Sequence, residues 1–174
     1  EMVVAYEGLH TYGGMAGRDM EAVAIGLKEF SRDEEVAYYV SQVEYLGEQL
    51  EKNGIPIVRP VGAHAVFIDA KRFLPHISQK HFPAQRLVAE IYIESGVRTM
   101  ERGIVSGQHG EEPYDGLELV RLTLPRRVYY REHLVFVVEG IKKVYGRRKF
   151  MRGLKMTYEP KVLRFFQSRF KPVK

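Results

Sequence analysis

The sequence predicts an α/β domain of the α+β kind, in which helices and strands are interleaved around a mixed sheet. Two segments carry apolar residues at the three-to-four spacing of an amphipathic helix, one beginning near Asp33 and the other near Arg131. Three apolar runs bounded by glycine, proline or polar residues indicate strands, at residues 55–59, 65–69 and 117–124. The fold class follows from this alternation.

The first third of the chain contains a strand end, a turn and two helices. Residues 3–6 are predicted to end a strand, and a glycine-punctuated turn then leads to a helix over about 17–30. Asp33 is predicted to be the N-cap or a first-turn residue of a longer helix, whose one apolar face is made of Val36, Val40, Val43, Leu46 and Leu50. Asn53 and Gly54 end this helix, because both tolerate the left-handed conformation. A lone strand has no sheet to join, so we expect the first 30 residues to belong to a larger unit.

The remainder of the chain continues the alternation. Pro83 can open a third helix, whose inner side is predicted to carry Leu87, Val88, Ile91 and Tyr92. Residues 96–107 are predicted to be short extended pieces, and 108–116 a polar loop. A helix over 131–145 should bury Leu134, Val135, Val138, Ile141 and Val144 or Tyr145. Strands at 154–158 and 162–170 close the domain.

Composition indicates an ordinary globular protein. The chain has 174 residues, 45% of them hydrophobic and 28% charged. It contains no apolar run long enough to span a bilayer, and its beginning lacks the pattern of a signal peptide. The absence of cysteine excludes disulfides and thiolate zinc sites. We therefore expect a cytoplasmic protein.

Positive charge is concentrated at the end of the chain. Residues 141–174 contain twelve Lys or Arg and one acidic residue, a net charge of +11, which leaves −6 for residues 1–140. A basic segment is compatible with nucleic-acid binding, but this one has no recognised motif. Its charges alternate with aromatic and aliphatic residues, which favours a solvated basic face on a packed element.

Two arginines are the leading candidates for a binding site. Arg121 lies in the predicted strand 117–124, where it can form a buried ion pair with Glu101 or Glu118, or bind a carboxylate or phosphate in a cleft. Arg102 supplies a second guanidinium, with a surface ion pair to Glu101 or Glu94 as the structural alternative. Residue types alone leave both alternatives open.

Other polar residues have better structural than functional interpretations. His64 is predicted to be a structural histidine rather than a general base. A metal site is less expected than a solvated acidic loop for the group His109, Glu111, Glu112 and Asp115. Close packing is preferred to phosphate binding for the glycines Gly13, Gly14 and Gly17, which do not fit nucleotide fingerprints.

Five blocks of sequence resemble a known family in their order along the chain. They are EGLHTYGGMAGRDME at 7–21, VGAHAVFID at 61–69, GVRTMERG at 96–103, VRLTLPRRV at 120–128 and GLKMTYEPKVLRFFQSRF at 153–170. Together they resemble the C-terminal portion of the β-eliminating lyases, the family of tyrosine phenol-lyase and tryptophanase. The resemblance implies a pyridoxal phosphate (PLP) enzyme with the aspartate-aminotransferase-like fold. Residues 1–30 would end the large cofactor-binding domain, and residues 31–174 would form the small domain.

The resemblance also implies roles for individual residues. Arg121 matches the arginine that holds the substrate α-carboxylate, and Arg102 matches the one that tyrosine phenol-lyase sets against the phenol hydroxyl. Met100 would line the same pocket, and Phe165 with Phe166 matches the aromatic pair of the phenol-lyase. Tryptophanase lacks the arginine and carries a histidine in the aromatic motif, so the resemblance favours tyrosine. Adjacent strand residues face opposite sides, so one phenylalanine is expected in the pocket and the other in the core.

The cofactor itself is not expected on this chain alone. In the family the Schiff-base lysine lies upstream of the first block, and no lysine precedes Lys28 here. We therefore expect no PLP-binding residue in this chain and no activity without the missing N-terminal part. Expected partners are that part, further copies in a homo-oligomer and an aromatic amino acid. The alternatives are a self-associating, non-catalytic relic of the small domain, tryptophanase-type specificity, and nucleic-acid binding through the basic segment.

Overall fold

The computed structural model describes residues 14–107 and 116–173, and these form six helices and five strands. The helices are α1 Gly17–Phe30, α2 Asp33–Lys52, α3 Ala70–Phe73, α4 Pro83–Ser95, α5 Arg131–Gly146 and α6 Arg164–Gln167. The strands are β1 Ala65–Asp69, β2 Met100–Arg102, β3 Leu119–Thr123, β4 Leu154–Tyr158 and β5 Arg169–Pro172. None of the described helices is long and apolar enough to cross a lipid bilayer. The predicted strand at 3–6, Gly13 and the polar residues 108–115 lie outside the described residues.

The chain divides into two compact units, Glu1–Val40 and Ser41–Lys174. In the first unit α1 has no buried residue. Its exposed apolar side chains are Met20, Val23, Ile25, Leu27 and Phe30. This division falls within α2, so the predicted domain boundary after residue 30 stays a prediction.

Helices α4 and α5 pack together and supply much of the core of the second unit. Helix α4 begins at Pro83 and ends at Gly96, which has a φ of 69°. Gly140 allows close contact, because a Cβ there would lie 2.8 Å from the Cβ of Ser95. Arg147 binds Glu94 at 2.5 Å across the pair. The predicted helices are confirmed, and so is most of their buried face: Leu87, Ile91, Leu134, Val138, Ile141 and Val144.

Three residues predicted to lie on apolar helix faces are exposed, of which Val36 on α2 is 39% exposed. Tyr92 is 57% exposed on α4, and Val135 is 45% exposed on α5. Tyr92 follows the buried Ile91, and Val135 follows the buried Leu134. The buried faces of α4 and α5 are therefore narrower than the sequence predicted.

A three-stranded sheet of order β1–β3–β2 forms the centre of the second unit. Both pairings are antiparallel, with Phe67 and Met100 on either side of Arg121. The prediction of a mixed sheet is therefore wrong for the described strands, although helices and strands do alternate as expected. The predicted strand at 55–59 is confirmed only in part, since it pairs with β1 through one isolated antiparallel bridge, from Ile57 to Ile68. The amide of Val58 donates to the carbonyl of Phe67, and the amide of Asp69 donates to the carbonyl of Pro56. Pro56 itself has no amide to donate to a longer ladder.

The C-terminal segment folds as a second, two-stranded antiparallel sheet of β4 and β5. The predicted strand at 162–170 is wrong, since α6 occupies its first half and β5 starts at Arg169. Leu163 has a φ of 57°, which turns the chain into α6. Buried Arg164 lies 3.2 Å from Glu159 at this turn. Residues 141–173 thus form packed elements, as the interpretation of the basic segment required.

Ile141 tests the packing of α5. It is fully buried, so Ile141→Ala should lower the free energy of unfolding by about 2–5 kcal/mol, because the lost side chain leaves a cavity. Urea unfolding followed by circular dichroism measures this. Val135→Ala on the same helix is the control and should change stability by less than about 1 kcal/mol. Equal losses in the two variants would contradict the observed orientation of α5.

Candidate functional site

Arg121 stands in the middle of the central ladder on its open face. Alternation along β3 turns Val120 and Leu122 into the core and leaves Arg121 on the opposite side. Its neighbours across the ladder are Phe67 of β1 and Met100 of β2. The backbone of Arg121 is therefore held from both sides, while its side chain is only half-buried.

The guanidinium of Arg121 has no carboxylate partner among the described residues. One Nη donates to the sulfur of Met100 at 2.9 Å, and sulfur is a weak acceptor. The Nε is buried and has no hydrogen-bond partner within the described structure. Glu101 and Glu118 are bound to other groups, so the ion-pair alternative for Arg121 is wrong. A shielded cation with an unused donor can bind an anion.

Arg102 lies on the same open face. It is paired with Leu119, two pairs along the ladder from the Met100–Arg121 pair, so its side chain points to the same side. Both arginines line one depression of about 330 Å³, which we call the arginine cleft; its lining is Val58, Phe67, Arg102, Leu117, Leu119 and Arg121. Two cations in a mostly apolar cleft favour a ligand with negative charge beside an apolar group.

The structural alternative proposed for Arg102 involved Glu94 or Glu101. Glu94 is bound instead by Arg147 and Lys143. Glu101 is fully buried and points away from the arginine cleft, because it alternates with Arg102 along β2.

Phe165 and Phe166 lie in a second depression. Their rings meet edge to face with centroids 5.0 Å apart, in the short helix α6. Both line what we call the aromatic cleft, of about 410 Å³; its other lining residues include Tyr92, Arg98, Thr99 and Glu101. The structure thus brings Arg102 and Arg121 together in one cleft and places the aromatic pair in a separate cleft. Met100 contacts Arg121 but does not line the arginine cleft.

The two phenylalanines are not divided by strand geometry as predicted, since they lie in a helical turn. Phe165 does pack against the core, on Phe82, Val105 and Leu154. Phe166 is 73% exposed, yet both rings line the aromatic cleft. The prediction that only one can line a cleft is therefore wrong, because it assumed a strand.

The sequence suggested Glu101 and Glu118 only as ion-pair partners of Arg121, and did not show that both are buried and bound to other groups. Glu101 and Glu118 are each 1% exposed. Glu101 accepts from the amide of Val105 at 3.1 Å and from the hydroxyl of Ser106 at 2.6 Å. The signal available in the sequence was the placement of both glutamates at core positions of predicted strands, next to apolar residues.

Burial raises the pKa of Glu101 to about 7, and the neighbouring carboxyl of Glu118 contributes to the same shift. The hydroxyl of Ser106 and the backbone amides oppose it. Burial also raises the pKa of Glu118, against hydrogen bonds from Ile104, Ala84 and Gln79. The Glu101 carboxyl therefore changes charge near neutral pH.

Other predicted candidates do not form a site. His64 is exposed, and its backbone carbonyl accepts from the amide of Leu124 at 3.0 Å. No group of three or more His, Asp or Glu in the described ranges could hold a metal ion. The group His109, Glu111, Glu112 and Asp115 lies outside those ranges.

Comparison with known proteins shows which proteins this chain resembles. The chain is 59% identical over 173 residues to a tyrosine phenol-lyase of Nostoc punctiforme, covering 97% of this chain and 37% of that protein. It is 56% identical to a tyrosine phenol-lyase of Symbiobacterium sp., covering 99% of this chain and 39% of that protein. A tyrosine phenol-lyase of Fusobacterium nucleatum is 55% identical, covering 98% and 38%. Over nearly its whole length the chain is thus similar to proteins named tyrosine phenol-lyase, and it spans 37–39% of their length. It is a C-terminal portion of such a protein.

Two further comparisons add little to this similarity. No family model matches the sequence. An aromatic aminotransferase of Pyrococcus horikoshii OT3 aligns with 77% of this chain and 29% of its own, with 19% identity and a TM-score of 0.45. That likeness is too weak to carry an argument.

Covalent attachment of PLP places a chemical requirement on the residues that line a cleft. A Schiff base requires a lysine amine, and neither cleft is lined by a lysine of the described chain. The residues lining these two clefts therefore do not fit the covalent attachment of PLP.

Glu101 gives the chain a pH-dependent stability. Its folded pKa of about 7 lies above the ordinary value of 4.5, so the folded state binds more protons between these values. The free energy of unfolding should therefore fall as pH rises from about 4.5 to 7. Glu101→Gln, which mimics the protonated acid, should remove this loss. Urea unfolding at pH 5, 6, 7 and 8 measures it.

Glu139→Gln is the matched control, since Glu139 is exposed on α5 and pairs with Lys142. It should leave the pH slope of the parent protein unchanged. Parallel stability curves for the parent and Glu101→Gln would contradict the buried placement of Glu101.

Proposed function

We propose that this chain is the C-terminal part of a PLP-dependent lyase that converts L-tyrosine and water to phenol, pyruvate and ammonium. Two findings support the proposal: relatives named tyrosine phenol-lyase are 53–59% identical over nearly the whole chain, and the arginine cleft suits an amino-acid carboxylate. In this proposal residues 1–30 belong to the large cofactor-binding domain and residues 31–174 form the small domain.

The surroundings of the Arg121 guanidinium are the observation on which the proposal rests. Its guanidinium is half-buried and lacks a carboxylate among the described residues, and its backbone is held in the centre of the ladder. A planar guanidinium binds a carboxylate through two parallel hydrogen bonds. We assign it the α-carboxylate of the substrate, which it would hold in one orientation relative to the reacting Cα.

Arg102 and Met100 extend this site toward the substrate side chain. Arg102 is assigned the ring hydroxyl of tyrosine, where a cation stabilises the developing charge as the ring leaves. Met100 contacts Arg121 and is assigned to the pocket wall. Phe165 and Phe166 are assigned to substrate binding from the aromatic cleft.

PLP supplies the electron sink that such a carbon–carbon cleavage requires. Its attachment is assigned to the rest of the enzyme, because the residues lining the two clefts do not fit it. The chain spans 37–39% of the length of the relatives compared, so the partner proposed here is the remaining part of such an enzyme. Homo-oligomerisation is part of the same proposal.

Arg121→Lys tests the carboxylate assignment in a full-length enzyme containing this chain. Lysine keeps the charge and loses the planar fork, so KM for L-tyrosine should rise and kcat/KM should fall roughly 100-fold. Steady-state release of phenol measures both. Arg152→Lys is the control, at an exposed position, and should leave both constants unchanged. Unaltered kinetics in Arg121→Lys would remove this residue from the site.

Arg102→Gln tests the assignment of the ring hydroxyl. It should lower kcat/KM for L-tyrosine roughly 10- to 100-fold, because a donor to the leaving ring loses its charge. S-methyl-L-cysteine has the same α-carboxylate and no ring hydroxyl, so its kcat/KM should change less than about 3-fold. Equal losses on both substrates would contradict this role and place Arg102 at the carboxylate.

A further inference from the structure

The carboxyl of Glu118 occupies the end of the β2–β3 ladder. Regular pairing stops with Arg102 opposite Leu119. Continuing the register by one residue sets Gly103 opposite Glu118, and there the Glu118 side chain replaces backbone pairing. It accepts from the amide of Ile104 at 3.0 Å, in the turn that follows Arg102. One side chain thus fastens the chain immediately beyond Arg102.

The same carboxyl also joins this turn to α4. It accepts from the amide of Ala84 at 3.2 Å, in the first turn of the helix. The side-chain amide of Gln79 donates to it at 3.3 Å. The carboxyl of Glu118 therefore joins its own strand to two segments that are distant in sequence, residues 79–84 and the turn at Ile104. Because the site is fully buried, each of these bonds replaces a bond to water that burial has removed.

Gly103 makes this arrangement possible. A Cβ at this position would lie 2.6 Å from a carboxylate oxygen of Glu118, closer than atoms can approach. Any side chain at position 103 would therefore collide with the Glu118 carboxyl, so only glycine fits there. This contact sets the backbone of Gly103 directly against the carboxyl group.

The backbone position of Arg102 depends on the hydrogen bonds of Glu118 more than that of Arg121 does. Arg121 is paired on both sides, with Phe67 and with Met100. Arg102 is the last residue of an edge strand of three residues and is paired on one side only. The backbone position from which its guanidinium extends therefore depends on the turn that comes after it.

We propose that Glu118 is a positioning residue for Arg102, and that it thereby sets recognition of the substrate's ring hydroxyl without altering recognition of the α-carboxylate. The inference rests on the proposed function of Arg102 and assigns a second residue to it. Glu118 does not line the arginine cleft, so it acts through the turn.

The test uses the full-length holoenzyme with Glu118→Gln, Gln79→Ala and the exposed control Glu139→Gln. Glu118→Gln keeps the shape and loses an acceptor, so the inhibition constant for phenol should rise at least about 5-fold, with a similar loss in kcat/KM for L-tyrosine. The inhibition constant for L-alanine, which has the carboxylate and no ring, should change less than about 2-fold. Gln79→Ala removes one donor and should give a smaller change with the same selectivity.

Crystal structures of the parent and the variants provide a readout that does not depend on activity. The Arg102 guanidinium should move by about 1 Å or more in Glu118→Gln, while that of Arg121 stays in place. If Glu118→Gln does not fold, Gln79→Ala decides by the same measurements. A parent enzyme that neither cleaves tyrosine nor binds phenol would refute the proposed function, and the crystal structures would still decide whether Glu118 positions Arg102.

Two results would overturn the proposal. One is an Arg102 guanidinium that superposes in parent and variant. The other is a parallel change, or no change, in the affinities for phenol and L-alanine, because a purely structural role would affect both ligands alike.

Discussion

The register of the short antiparallel ladder β1–β3–β2 is the constraint on which the rest of the second unit depends. With Met100 opposite Arg121 and Glu101 opposite Val120, alternation sends the arginines to one face and the carboxyl of Glu101 to the other. A slip of β3 by one residue would turn the guanidinium of Arg121 toward the core and expose the core residues Val120 and Leu122. Folding and binding are thus decided by the same pairing.

The separation of charge across this ladder has an energetic consequence. Opposite charges on neighbouring residues could have neutralised each other, yet Glu101 is satisfied by Val105 and Ser106 on the core side. Its burial raises its pKa to about 7, so the fold pays a stability cost near neutral pH. On the open face, no carboxylate among the described residues lines the arginine cleft.

Much of this arrangement was predictable from local patterns, and the exceptions have physical reasons. Helices α2, α4 and α5 and strands β1 and β3 follow from periodicity, proline and glycine signals. The strand predicted at 162–170 failed because Leu163 takes a left-handed conformation and buried Arg164 pairs with Glu159, and neither is visible in hydrophobic alternation. The hydrogen bonds of buried Glu118 were not predicted because two of their donors, Ala84 and Gln79, are 34 and 39 residues away in sequence.

In the candidate site, too, some features depend on residue type alone and others depend on contacts between residues distant in sequence. Residue type and resemblance identified Arg102 and Arg121, because a guanidinium's chemistry is carried by the residue itself. Whether each is free to bind a ligand depends on where the nearby glutamates go, and that is decided by tertiary contacts. Glu118 shows this most clearly: in sequence it is a possible ion-pair partner for Arg121, whereas in the fold it binds backbone amides and leaves the arginine available. Sequence therefore identifies the groups that can bind, and the fold determines which contacts each of them makes.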